Sequence, residues 1–222
     1  MHFGHEPIFQ WLAQYAYEPS MVYIGVFVLM IASGFGFPLP EEVTIVSVGV
    51  LAYMGANPAL FPPPTVGAPV INGYEAAILV SLAVFFSDNL VYWLGREFGR
   101  KIRKMPRFEG FFAGPINEKI NRFIEKYGVY AAFVFRFTPG IRFPAHIFLG
   151  MSKFSYPAFA LVDGIAVLIS VPTQILLVYH FGDPILATLY KFKVYVGITL
   201  AIIIAYMISK KLWQRMRLRF SR

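Results

Sequence analysis

Hydrophobic positions fall into runs along this chain: Met21 to Phe37, Val43 to Met54, Ala76 to Gly95, Val129 to Gly150, Phe154 to Phe181 and Val194 to Ser209. A helix needs ~20 residues to cross ~30 Å of hydrocarbon at ~1.5 Å of rise per residue. Val43 to Met54 is too short, reaching only ~18 Å as a helix. The preceding Pro38-Leu39-Pro40-Glu41-Glu42 cannot be continuous helix, because proline lacks the N–H and clashes with the preceding turn. Residues 21–56 therefore read as a re-entrant hairpin broken at Pro38 and Pro40. Val129 to Gly150 repeats the plan, with breaks at Thr138-Pro139-Gly140 and at Pro144 in a segment too short for two crossings. Non-helical backbone at membrane depth is tolerated only against protein or a wet cavity, so both breaks should point inward.

The predicted fold is an all-α polytopic membrane protein in a single domain: two re-entrant helical hairpins in inverted-repeat halves plus three to four full spans. Residues 1–20 read as an outer interfacial helix, since Pro7 is followed by Ile8, Phe9, Trp11, Leu12 and Tyr15. After the first hairpin come an extended Pro-rich loop, Asn57 to Asn72, and a span over 74–96. A basic, amphipathic cytoplasmic segment covers 97–127. In its Pro115 to Tyr127 portion, Ile116, Ile120, Phe123, Ile124 and Tyr127 share one helical face, and the segment is expected on the cytoplasmic leaflet. The second hairpin (128–151), spans over 154–181 and 185–209, and a basic tail (210–222) complete the chain. Opposed halves with interrupted apolar segments are the pattern of secondary transporters with a midplane site.

Composition strengthens this reading: 57% of residues are hydrophobic, 14% are charged and the mean hydropathy is +0.59. Those values exclude an ordinary soluble enzyme and a disordered chain. The net charge is +8, yet all 20 Lys and Arg lie at or after Arg96. The positive-inside rule then places 97–127 and the C-terminus in the cytoplasm, and 1–20 and 57–73 outside. Basic juxtamembrane stretches attract anionic lipid heads, so nucleic acid is not an expected partner. With no cysteine, disulfides and thiolate chemistry drop out. His2 and His5 lack a third ligand, and no metal is expected there.

Charge at bilayer depth is costly, roughly 2.5–3.5 kcal/mol per residue on insertion scales, so it marks candidate function. Glu41 and Glu42 at the first break, Asp88 and Asp163 inside spans, and Arg136 and Arg142 flanking the second break qualify. Guanidinium forks match phosphate oxygens bidentately; alternatively, these arginines pair with the acids and hold the hairpins together. Adjacent helical residues face different ways, so one glutamate should cap the helix beginning at Val43 while the other faces the cavity. Asp163 precedes Gly164, which also suits close helix packing around a paired acid. Four acids against two bases leave excess negative charge that hydrocarbon disfavours, so some acid must hold a proton. His146 reads as a hydrogen-bonded structural histidine or as a proton relay.

Three stretches resemble the DedA family, also called the SNARE-associated or VTT superfamily: Gly36-Phe37-Pro38-Leu39-Pro40-Glu41-Glu42, Asp88-Asn89-Leu90-Val91-Tyr92-Trp93-Leu94-Gly95-Arg96 with Gly99, and Arg136-Phe137-Thr138-Pro139-Gly140-Ile141-Arg142 running to Gly150-Met151. The resemblance implies two re-entrant hairpins with opposed tips and a lipid-carrier flippase that returns undecaprenyl phosphate to the inner leaflet with proton coupling. Related eukaryotic members resemble phospholipid scramblases. Glu42 falls on the family's acidic position, although the further acid expected about a dozen residues earlier is absent near Met30. On this reading Arg136 and Arg142 bind substrate phosphate, and Glu42, Asp88, Glu41 and Asp163 couple protons. An energy-independent phospholipid scramblase, a lipid phosphatase and a membrane scaffold are the alternatives. Walker, Gly-x-Ser-x-Gly, His-Glu-x-x-His and dinucleotide motifs are absent, so neither enzyme chemistry nor a cofactor is expected.

Overall fold

The structure is a computed structural model that describes residues 7–34, 41–102, 115–128, 130–137, 142–152, 154–182 and 184–185. The break residues Pro38, Pro40, Pro139 and Gly140, the expected span over 185–209 beyond its first residue, and the basic tail lie outside them. Residues 2–180 form one compact unit. Of the unit beyond it, Phe181, Gly182, Pro184 and Ile185 are described, and the Ile185 N–H donates to the Phe181 carbonyl at 3.4 Å.

Among the described residues every regular element is helical: α1 (Pro7–Ala13), a 3-10 turn (Gln14–Tyr17), α2 (Pro19–Gly34), α3 (Glu41–Ala56), α4 (Gly73–Ile102), α5 (Pro115–Tyr127), α6 (Tyr130–Arg136), α7 (Arg142–Met151) and α8 (Tyr156–His180). Among the described residues, two stretches are long and apolar enough to cross a membrane, Gly73–Gly99 and Tyr156–His180, and a third crossing results if Phe9–Tyr17 and Pro19–Gly34, bent by 101°, act as one broken span. The short arms follow from the chain's punctuation. As helices, α6 and α7 reach only ~10 and ~15 Å, and α3 ~24 Å. Pro144 does not break the chain a second time. It sits in the first turn of α7, where a missing N–H leaves no intrahelical bond unmade.

Helix α4 is the hub, packing against α2, α3, α7 and α8. Its crossing with α7 brings backbone against backbone. A Cβ on Gly95 would lie 2.8 Å from the Ile147 Cα, and one on Gly150 would lie 2.9 Å from the Arg96 N. Small residues allow such approach, and here they carry α7 close along α4. Tyr92 secures the same corner: its hydroxyl donates to the Phe154 carbonyl at 2.8 Å, and its ring stacks on Phe159 with centroids 4.4 Å apart.

Helix α5 has the predicted two-faced pattern, with Ile120 and Ile124 buried and Glu118, Lys119, Arg122, Glu125 and Lys126 exposed. Ile120 and Ile124 pack with Ala131, Phe135 and Phe148 of α6 and α7, while Tyr127 on the same face stays exposed. In α8, Pro172 removes one helical N–H. The nearby Thr173 hydroxyl and Gln174 amide donate to the Ile169 and Ser170 carbonyls, as expected of polar groups in an apolar helix.

Candidate functional site

The bundle is apolar outside and polar within. Ile78, Leu82 and Phe86 on α4, and Leu161, Ile165 and Leu168 on α8, are exposed, whereas Asp88, Asp163, Arg136 and His146 are buried. Such an arrangement suits a lipid solvent, in which the driving force places apolar side chains outward and ionisable ones in the interior.

Five elements deliver the buried charges. Asp88 comes from the central part of α4, Asp163 and Ser170 from α8, Glu41 from the first turn of α3, Arg136 from the last turn of α6, and Arg142 and His146 from α7. The helix ends help: an anion at the start of α3 and a cation at the end of α6 each match the local dipole. Arg142 opens α7, where the dipole disfavours a cation, so its stability there rests on the carboxylates around it.

Arg136 is fully engaged. Its Nε donates to the Ser170 hydroxyl at 2.9 Å, Nη1 to Asp88 at 2.7 Å and Asp163 at 3.4 Å, and Nη2 to Glu41 at 3.4 Å. Arg142 shares two of those acids, with Nη2 2.5 Å from Asp88 Oδ1 and Nη1 in contact with Glu41 Oε2. Its Nε is buried and without a hydrogen-bond partner. The side chain is 17% exposed, against 3% for Arg136. His146, 1% exposed, places Nδ1 3.2 Å from Asp88 Oδ1 and Nε2 3.9 Å from Asp163 Oδ1. Neither ring nitrogen is in a hydrogen bond, and the same holds for Asp163 Oδ2.

The predicted candidates Arg136, Arg142, Asp88, Asp163 and Glu41 thus meet in one network. Glu42 does not join it; its side chain is exposed beside Val43 on the outer side of the first turn of α3. Of the two glutamates, Glu41 is the one that faces inward, because helical phase separates neighbours by about 100°. Three carboxylates and two guanidiniums leave the network, among the described residues, with one negative charge in excess. Sequence reasoning had no signal for Ser170 and left His146 between two readings, since a lone hydroxyl or imidazole in an apolar run has no periodic partner. Asp88, His146 and Asp163 bring metal-ligand types within 4.8 Å of one another. Both Asp88 oxygens already accept from guanidinium groups, however, and an added ion would face two fixed cations, so these donors fit arginine better than a metal.

An apolar exterior around a buried ion network defines an integral, all-helical membrane protein. Residues 24–183 match the VTT domain, and the chain belongs to that family, the DedA family. Among its relatives, an uncharacterized membrane protein of Haemophilus influenzae is 33% identical over 156 residues, 70% of this chain and 68% of that protein. A protein named inner membrane protein in Borreliella burgdorferi is 24% identical over 205 residues, 88% of this chain and 87% of its own length. An uncharacterized membrane protein of Bacillus subtilis is 28% identical over 145 residues, 63% of this chain and 80% of that protein. No solved structure matches the chain. Membership supports a membrane-transport role in general terms.

Proposed function

We propose that this protein is a flippase of the bacterial cytoplasmic membrane that moves a phosphate-bearing lipid, undecaprenyl or another polyprenyl phosphate, with protons as the coupling ion. The observation that carries this reading is Arg142, a partly exposed guanidinium with a free Nε at the start of α7, beside a second arginine in a buried network of three carboxylates. A phosphate can take the Arg142 fork in place of Glu41 and Asp88 oxygens, because its geometry matches the same parallel N–H pair. Arg136 meanwhile keeps Asp88 and Asp163 compensated. A carboxylate displaced from Arg142 is left underpaired at depth, and taking up a proton relieves it. Phosphate arrival and proton uptake are linked in this way.

The same proposal extends to the rest of the chain. The segments on either side of residues 35–40 and 137–141 act as re-entrant hairpins of opposed halves, with the phosphate site between them. The prenyl chain stays against the apolar exterior, where a groove of about 700 Å³ lined by Phe27, Leu82, Phe86, Leu90, Trp93 and Tyr156 suits a hydrocarbon tail. The N-terminal third faces outward and the C-terminus the cytoplasm. No bond in the lipid is made or broken. The experiment is reconstitution in vesicles with labelled undecaprenyl phosphate or glycerophospholipid, with and without a pH gradient. Gradient-driven movement of the polyprenyl phosphate alone is expected; equal movement of both lipids without a gradient contradicts the reading, and released inorganic phosphate replaces it with hydrolysis.

A further inference from the structure

The excess negative charge in the network needs a holder for one proton, and hydrogen-bond geometry narrows the choice. Both oxygens of Glu41 meet guanidinium nitrogens, Oε1 that of Arg136 and Oε2 that of Arg142. Both oxygens of Asp88 do so as well, Oδ2 at 2.7 Å from Arg136 and Oδ1 at 2.5 Å from Arg142. On each of these four oxygens a proton would have to avoid the lone pair that a guanidinium already occupies, since guanidinium has no acceptor to offer. Asp163 differs. Only its Oδ1 reaches a guanidinium, at 3.4 Å, while Oδ2 is fully buried and unpartnered. Beside it lies the His146 ring, with neither nitrogen in a hydrogen bond and the Phe159 ring in a T-shaped contact at a centroid distance of 5.3 Å.

We infer that Asp163 and His146 form the proton-binding site of this network, holding between them one exchangeable proton that brings its charge to zero. The proton on His146 gives an imidazolium between Asp88 and Asp163; on Asp163 Oδ2 it gives a neutral acid beside a neutral imidazole. Both placements carry the same net charge, so the two groups titrate as a pair. The charged groups facing His146 are Asp88 of α4, Asp163 of α8, Arg136 of α6, Arg142 of its own helix and, across the arginines, Glu41 of α3. Helix α5, which also packs on α7, turns Ile120 and Ile124 inward and leaves its charges exposed. On losing the proton the pair returns to one uncompensated anion, the state in which a displaced carboxylate elsewhere in the network is least tolerated. The inference deepens the transport reading and rests on it for the use made of the proton, but the site itself can be measured without transport.

The test is nitrogen NMR of the full chain in lipid, with labelled histidine and with His2, His5 and His180 replaced by Gln so that His146 is the one imidazole left. Its ring signals are expected to change across about pH 5 to 8. Asp163→Asn should move that change by about one pH unit or more, and Glu42→Gln should leave it in place. If Asp163→Asn fails to fold, Asp163→Glu, which keeps the charge but alters its reach, should move it too. Ring signals constant over the whole range, or a titration indifferent to both Asp163 variants, would overturn the inference. No lipid phosphate and no gradient is present, so failure of the flippase reading would leave this result unaffected.

Discussion

Arg136 and Arg142 flank one Pro-Gly break and share Asp88 and Glu41, yet they are held in opposite ways. Every nitrogen of Arg136 has a partner, and its side chain is 3% exposed; Arg142 keeps a free Nε and is 17% exposed. The first therefore acts as a strut that neutralises Asp88 and Asp163 at membrane depth. In the proposed function the second is the one that exchanges a carboxylate for a phosphate, because fewer of its donors are committed. On the proposed reading, a motif with two arginines six positions apart separates holding from binding, which the residue types alone do not reveal.

The largest effect that would sharpen this comparison is expected from Arg136→Gln. Removing one partner from a buried ion network leaves uncompensated charge, at about 3–5 kcal/mol. Thermal unfolding in detergent should fall steeply, and a fold as stable as wild type would end the distinction. Gly150→Leu comes next. It forces α7 away from the α4 backbone at a cost of about 1–3 kcal/mol, and should impair transport by moving Arg142 while the Arg136 contacts on α8 persist. Ser170→Ala removes only the Nε acceptor of Arg136 and should cost about 1 kcal/mol, read in the same unfolding assay. Glu42→Gln should be smallest, within about 0.5 kcal/mol of wild type, because that side chain is exposed and outside the network. A large loss of stability or of gradient-driven transport in Glu42→Gln would return it to the site in place of Glu41.

The helical arms were legible because prolines and apolar run lengths are local properties: Val43 to Met54 became α3 and Val129 to Gly150 became α6 and α7, each within a few residues. The ionisable residues of the network were legible for a related reason, since charge inside an apolar run has no other explanation. Choosing between Glu41 and Glu42 was not, because the phase of α3 is a matter of how it packs against α4 and α8. Pro144 misled in the other direction: a proline reads as a break unless it falls in a helix's first turn, as it does in α7. Gly95 and Gly150 stood in the recognised stretches without a stated purpose, and only the α4 crossing supplies one.

The central claim, that Arg142 binds the lipid phosphate, is tested most directly by the affinity of the purified protein for undecaprenyl phosphate, measured by native mass spectrometry in wild type and Arg142→Lys. Lysine keeps the charge and its pairing with Asp88 and Glu41 but cannot form a bidentate fork, so unfolding temperature should stay near wild type while affinity falls about tenfold or more. Wild-type affinity in a folded Arg142→Lys protein would contradict the account.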